Sequence, residues 1–534
     1  MILQLAYRMS AIILVVNSVG VEWSYAGPES TGHGLVDSEL AEPEHMESGL
    51  VEPAVEDGLP LRHVDLEDGG KIDIPSPLAA TTALFGQEGY ELVVVPQLVS
   101  ELHSADQVTL RAFPLSPGWD VDLELSRLKL VDERSEFVLG TAGGDVPFEP
   151  VSVLMFRGHV AGAPGSRAYL ALYGERAYGH VSIPGEVSFS IDVAPSPLSG
   201  IPVPMIRNRA SMPARLERPT VKRVPSFDSS NVPAGNAPGD KTALVASGGD
   251  RSGPILNMAL DGDFGFYQSM GSDSAEAAAY MISLLGASAA VYVDQIDTTL
   301  RLSFLRVWTV EDPLGESLSD FSDHWVLNLQ DVERDHAHKF TDSLPSGDGI
   351  AWIFDNEPLF CRNPWFAFAI TEIDDPFVDE VVTFSQELGH NCGSVHTHCY
   401  DPPLDICFSG EPGCYTGTTV QVVGTIMSYC NAAAPKFHDG VVDYMRPAMR
   451  IPNYVSCLGW ARTPGYVSSV GGPFCNDDIG TSECPWRTVE DGVHGLFPGG
   501  VLNISSGLYA GPVTIDSPGV YRTAGSGNAI IGLD

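Results

Sequence analysis

The stretch Gln386-Glu387-Leu388-Gly389-His390-Asn391-Cys392-Gly393-Ser394-Val395-His396 decides the fold. Gln386 and His390 are four residues apart, so on a helix they share one face. Gly393 can take a positive φ and stop that helix. The chain can then bring His396 back to the same point, with Glu387 beside it. A catalytic zinc site is built this way, from three protein ligands and an open fourth position for water. The metal brings the water's pKa towards neutrality and a carboxylate takes its proton. Singly, each residue has a plainer reading: a structural histidine, a solvated helix carboxylate. Only their joint spacing argues for chemistry.

The segment is similar to the zinc signature of the metzincins, H-E-x-x-H-x-x-G-x-x-H, except at its first position. The continuation Val395-His396-Thr397-His398-Cys399-Tyr400 resembles the reprolysin (adamalysin) branch. Downstream, Gly424-Thr425-Ile426-Met427-Ser428-Tyr429-Cys430 resembles the Met-turn of that clan. The resemblance implies an α/β fold over residues 253–465: a metzincin-type catalytic domain, with a mixed twisted sheet, an active-site helix and a Met-turn. It implies His390 and His396 as Zn2+ ligands, Glu387 as the catalytic base and Met427 as the apolar floor. Gly349, Ile350 and Ala351 would lie near the edge strand that pairs with an extended substrate, a form of strand addition.

Gln386 stands where the family has its first histidine. Its neutral amide oxygen is a weaker zinc donor than imidazole and suits harder cations. Zinc binding is therefore expected, but weak. By similarity to the astacin and serralysin branches, Tyr429 is a possible further ligand. His398 is expected to make contacts behind the ligands or at the surface.

Outward from the site, residues 80–195 read as β-rich. Glu91-Leu92-Val93-Val94-Val95 and Ala168-Tyr169-Leu170-Ala171-Leu172 are short apolar runs between Gly and Pro turns. The run from Phe156 to Ser166 is similar to reprolysin-type propeptides, which implies an inhibitory or chaperoning pro-domain. A permanent accessory domain is the rival reading. Residues 27–79 read as a disordered acidic leader. Residues 196–252 read as a linker with a basic cluster, Arg207, Arg209, Arg215, Arg218, Lys222 and Arg223, a candidate processing site. Further on, Ser274 is expected to cap a helix continuing to Val293. The tail, 466–534, has very short strands at Leu502–Ile504, Val513–Ile515 and Ile530–Ile531. It looks like the opening of a parallel β-helix, too short to be complete.

Residues 1–26 read as a secretory signal: Arg8, the apolar run from Ala11 to Val16 and beyond, then Ser24-Tyr25-Ala26 for cleavage. All nine cysteines lie between Cys361 and Cys484, so at least one is unpaired within the chain, and secretion would favour disulfides. Cys392 is expected to be a disulfide partner, and Cys475 with Cys484 a candidate pair. The net charge of −40 argues against nucleic acid as a partner, because there is no excess of Lys and Arg to displace phosphate counterions. No membrane contact is expected once the signal is removed.

These readings point to a secreted zinc-dependent metalloendopeptidase, made as a precursor and acting on protein or peptide substrates. The alternative is a catalytically impaired pseudoprotease of the same fold, acting as a binding protein; Gln386 favours it. A carbohydrate-directed role would rest on the tail alone.

Overall fold

The computed structural model describes residues 13–17, 20–24, 71–85, 89–185, 188–196, 199–209, 220–223, 251–345, 348–354, 357–374, 376–430, 432–455, 457–463, 465–470, 480, 485–496, 501–509 and 520–531. Two large sheets dominate. The first has ten strands, from Lys71–Pro75 to Pro202–Asn208, and is antiparallel apart from the parallel pairing of Lys71–Pro75 with Gln107–Ser116. It begins inside the stretch read as an acidic leader and ends inside the stretch read as a linker. Ile72 and Ile74 complete the sheet's edge, and Met205 and Ile206 are buried in the strand from the linker.

The second sheet has nine strands and is mixed. Arg251–Gly262 lies at its centre, parallel to Thr299–Trp308 on one side and to His336–Thr341 on the other. Phe368–Glu372 pairs parallel to His336–Thr341, and Gly349–Ile353 pairs antiparallel to Phe368–Glu372. Two of the helices that pack on this sheet frame the site. Ser274–Gln295 is capped by the Asp273 carboxylate, which accepts from the N–H groups of Ala275 and Glu276; Ser274 is the first helical residue rather than the cap. This helix is long and apolar enough to cross a membrane, but it is almost wholly buried as the core helix. The second helix, Phe377–Asn391, is buried on every side and carries the segment quoted first.

Both outer edges of the nine-stranded sheet are closed by chain that precedes residue 251. On one edge, Glu136–Thr141 and Gly144–Pro147 form a hairpin whose first strand runs parallel to Thr299–Trp308. A buried cluster pins this hairpin. Arg306 makes a two-pronged pair with Asp261, and Asp261 also accepts from the indoles of Trp308 and Trp325. The guanidinium's remaining prong reaches Asp145 of the hairpin at 3.2 Å. On the other edge, Thr220–Arg223 runs parallel to Gly349–Ile353.

The two sheets also share a core. Leu128, Phe137, Met155, Tyr169 and Tyr178 pack in one cluster with residues of the helix Ser274–Gln295. The Tyr169 hydroxyl donates to the Ser283 carbonyl at 2.8 Å. The helix carries glycine at 286 because a Cβ there would stand 2.2 Å from that hydroxyl. The basic cluster is partly folded in as well: Arg207 pairs with Asp192, and Arg209 pairs with Asp379 in the first turn of the helix Phe377–Asn391. Arg215 and Arg218 lie outside the described residues.

In the tail, Gly465–Val467, Val501–Tyr509 and Val520–Ile531 pair in parallel around Trp486, Leu502 and Ile504. The strand expected at Val513–Ile515 lies outside the described residues, as do Cys475 and Cys484. Ile13–Asn17 and Gly20–Ser24, within the stretch read as a signal, pair with each other, and the first also pairs with Val520–Ile531.

Candidate metal centre

The helix Phe377–Asn391 delivers Gln386, Glu387 and His390, all buried. It ends just before Gly393, at φ +90, where the Gly393 N–H bonds the His390 carbonyl and the Ser394 N–H bonds the Gly389 carbonyl. The reversal returns His396 to His390, and their Nε2 atoms lie 3.2 Å apart.

The other nitrogen of each ring is already engaged. His390 Nδ1 donates to the Ser394 carbonyl at 2.8 Å, and His396 Nδ1 donates to the Glu411 carboxylate at 2.7 Å. Burial pushes the pKa of both rings below the usual imidazole value, more strongly for His390, where the facing His396 adds to the effect. A neutral imidazole with its proton on Nδ1 has a bare lone pair on Nε2. Two such lone pairs thus face each other with no proton between them. Nitrogens about 2.0–2.1 Å from a tetrahedral zinc stand roughly 3.3 Å apart, so the pair fits a shared cation. Gln386 is buried, and its Nε2 has no hydrogen-bond partner among the described residues; an NH2 group cannot ligate a cation, so only the amide oxygen could serve as a donor. Imidazole and amide donors beside a carboxylate are a plausible zinc set, weakened where the amide stands.

Glu387 is fully buried next to His390's turn of helix. Gly349 of the strand Gly349–Ile353 covers it closely; a Cβ there would meet Glu387 Oε1 at 2.8 Å. Of the expected edge residues, Gly349 therefore sits beside the candidate base. Their outer edge is not open, since Ile350 and Ala351 pair with Thr220 and Val221.

Beneath the helix lies Met427, whose backbone sits at φ +76, a conformation side-chain-bearing residues rarely adopt. Its sulfur packs against Gly389, where a Cβ would stand 2.6 Å away. The Met427 carbonyl accepts from the Thr397 N–H at 2.8 Å, which ties the turn to the residue after His396. Asp405 accepts from Thr397 and from Ser428, joining the same two segments. The Tyr429 ring packs on His396, with centroids 4.3 Å apart, and on His398 and Phe408.

Three disulfides surround this wall: Cys361–Cys457, Cys399–Cys414 and Cys407–Cys430. Cys392, expected to be paired, is a free buried thiol whose pKa burial pushes up. Its thiol lies within hydrogen-bond reach of the Tyr292 hydroxyl.

Glu411 was not singled out from sequence. It lies 15 residues beyond His396, in a loop that reads as a surface turn. Only its place between two disulfide cysteines, Cys407 and Cys414, hinted that this loop folds back on the site.

No curated protein sequence matches the chain. Residues 255–439, which span the central strand, both helices, the paired histidines and the Met427 turn, match the model of metallo-peptidase family M12, reprolysin type, and so support a metallopeptidase of that type.

Proposed function

We propose that the protein is a secreted zinc metalloendopeptidase held in a latent form. The observation that carries the reading is the facing pair of Nε2 lone pairs on His390 and His396, each oriented by a bond to its Nδ1. His390 and His396 would hold the metal, with Gln386 as a weak third donor. When bound, zinc supplies Lewis-acid polarisation and lowers the pKa of water. Glu387 takes a proton at its carboxylate and hands it to the leaving amine. Its burial beneath Gly349 excludes bulk water and fixes its direction. The strand Gly349–Ile353 would offer backbone groups to an extended peptide. Disulfides around the site suit an oxidising compartment.

Latency follows from the strand Thr220–Arg223, which takes up the backbone edge that a substrate would use. The ten-stranded sheet shares its core with the helix Ser274–Gln295, so cutting the linker would free the edge without releasing the N-terminal domain. We assign no chemistry to the tail.

Gln386 favours a second reading, a binding protein that keeps the cleft with little catalysis. Hydrolysis of denatured casein after limited linker cleavage, with and without chelator, separates the two. Chelator-sensitive cleavage that Glu387→Gln abolishes supports the peptidase; no cleavage by the processed protein at saturating zinc supports the binding protein.

A further inference from the structure

Behind the paired imidazoles, one carboxylate oxygen collects two rings. Glu411 Oε2 accepts from His396 Nδ1 at 2.7 Å and from His398 Nε2 at 3.0 Å. The two rings lie nearly parallel, with centroids 5.4 Å apart, and both side chains are fully buried. The hydrogen bonds reach Glu411 through a loop closed at both ends. Cys399 is bonded to Cys414, and the Tyr415 N–H donates to the His398 carbonyl at 3.0 Å. The Cys399 sulfur lies within 4.8 Å of the Glu411 oxygen and the two ring nitrogens.

We propose that Glu411, clamped by the Cys399–Cys414 disulfide, is a positioning residue of the metal centre that sets the tautomer and donor strength of His396. The proposal rests on the reading of His390 and His396 as ligands.

The physical argument has two steps. A neutral imidazole carries its proton on either nitrogen, and only the Nδ1–H form can ligate through Nε2. A carboxylate at Nδ1 selects that form, holds the ring's direction and makes Nε2 a stronger donor. The effect matters more here than where three imidazoles share the metal. With an amide at position 386, His390 and His396 carry most of the affinity. His390 has only a neutral carbonyl behind it, whereas His396 has an anion.

The disulfide bears on the same bond. Glu411 lies three residues before Cys414, so the crosslink holds the carboxylate beside His396. Without it, ordering this 15-residue separation would oppose the hydrogen bond through loop entropy. His398 anchors the same carboxylate oxygen and needs no metal contact of its own.

The test is the zinc dissociation constant, measured by competition with a chromophoric chelator, for wild type, Glu411→Ala, Glu411→Gln and the double variant Cys399→Ser/Cys414→Ser. Partners behind a metal ligand typically contribute about 10–100-fold in affinity. Glu411→Ala is expected to weaken binding by that factor. Glu411→Gln, which keeps an acceptor without the charge, should fall in between, and the double cysteine variant should shift in the same direction as Glu411→Ala. A second readout needs no metal. In histidine-labelled, metal-free protein, nitrogen chemical shifts should show His396 protonated on Nδ1 in wild type and moving towards the Nε2–H form in Glu411→Ala and Glu411→Gln.

A folded Glu411→Ala that binds zinc as tightly as wild type overturns the proposal, as does an unchanged His396 tautomer. If Glu411→Ala does not fold, Glu411→Gln decides on the same two readouts. Wild type that binds no zinc defeats the reading of the site instead, and the tautomer measurement still decides the role of Glu411.

Discussion

His390 and His396 meet Nε2 to Nε2 at 3.2 Å while each Nδ1 is spent on an oxygen. The arrangement needs a helix that stops on time, a glycine at φ +90 and an acceptor behind each ring. An ordinary structural histidine pair would share a proton; this one has arranged for both facing nitrogens to be bare.

Glu387→Gln should keep zinc and lose turnover. The amide preserves volume but takes no proton, and general-base groups typically contribute about 10²–10⁴-fold. Zinc titration alongside peptide hydrolysis checks it. Equal losses in metal affinity and rate would instead make Glu387 a metal ligand.

Gly349→Ala should lower the rate with little change in zinc affinity. The new methyl would press on Glu387 Oε1, at 2.8 Å, and on Thr383 Cγ2, at 2.7 Å, and not on either histidine. Steady-state kinetics with the linker already cut measures the effect. An unchanged kcat/KM would mean that Gly349 does not position the carboxylate.

Acid should destabilise the fold well above the carboxylate range. Burial holds His180 at about 4 and His336 at about 3, against an ordinary 6.5. As pH falls through 6.5 the unfolded chain takes up protons that these folded rings refuse. Their contribution is full above that pH and is lost progressively towards 3–4, at about 1.4 kcal/mol per pH unit per group. Asp335, pushed up to about 6 by burial, acts in the opposite direction, as do Asp192 and Asp263, which burial also raises, but His324, His338, His390 and His396 are lowered alongside His180 and His336. Urea midpoints at pH 7.5 and pH 5 test the sum; a midpoint as high at pH 5 as at pH 7.5 contradicts it.

Limited proteolysis within 210–250 should raise peptidase activity while both fragments stay together. Cutting loosens the strand Thr220–Arg223 from Gly349–Ile353, and the shared core around Tyr169 and the helix Ser274–Gln295 keeps the N-terminal domain attached. Size-exclusion chromatography of the cut protein reads the second part. An N-terminal fragment eluting separately, with activity unchanged by cleavage, would contradict both.

The helix and its stop were legible because their signals are local: an i, i+4 pair and a glycine three residues on. The turn at Met427 was legible by resemblance, since its backbone strain leaves no mark in composition. Glu411 was not legible, because a disulfide loop decides which side chain returns to His396. The closure of both sheet edges was equally hidden. Glu136 pairs with Phe304 and Thr220 with Ile350, across separations where no periodicity survives. The strands Lys71–Pro75, Pro202–Asn208 and Thr220–Arg223, at the ends of or within the stretches read as leader and linker, were hidden for a related reason: Pro, Gly and charge mark a flexible segment only until a distant strand recruits it.

The most direct test is a zinc titration of metal-stripped wild type, His390→Ala and Gln386→His. Wild type should bind a single zinc ion and release it on gentle dialysis. His390→Ala should lose that binding, and Gln386→His should hold zinc about 10–100-fold more tightly or better, as an imidazole replaces an amide. Zinc absent from both wild type and Gln386→His, or bound equally by His390→Ala, would contradict the account.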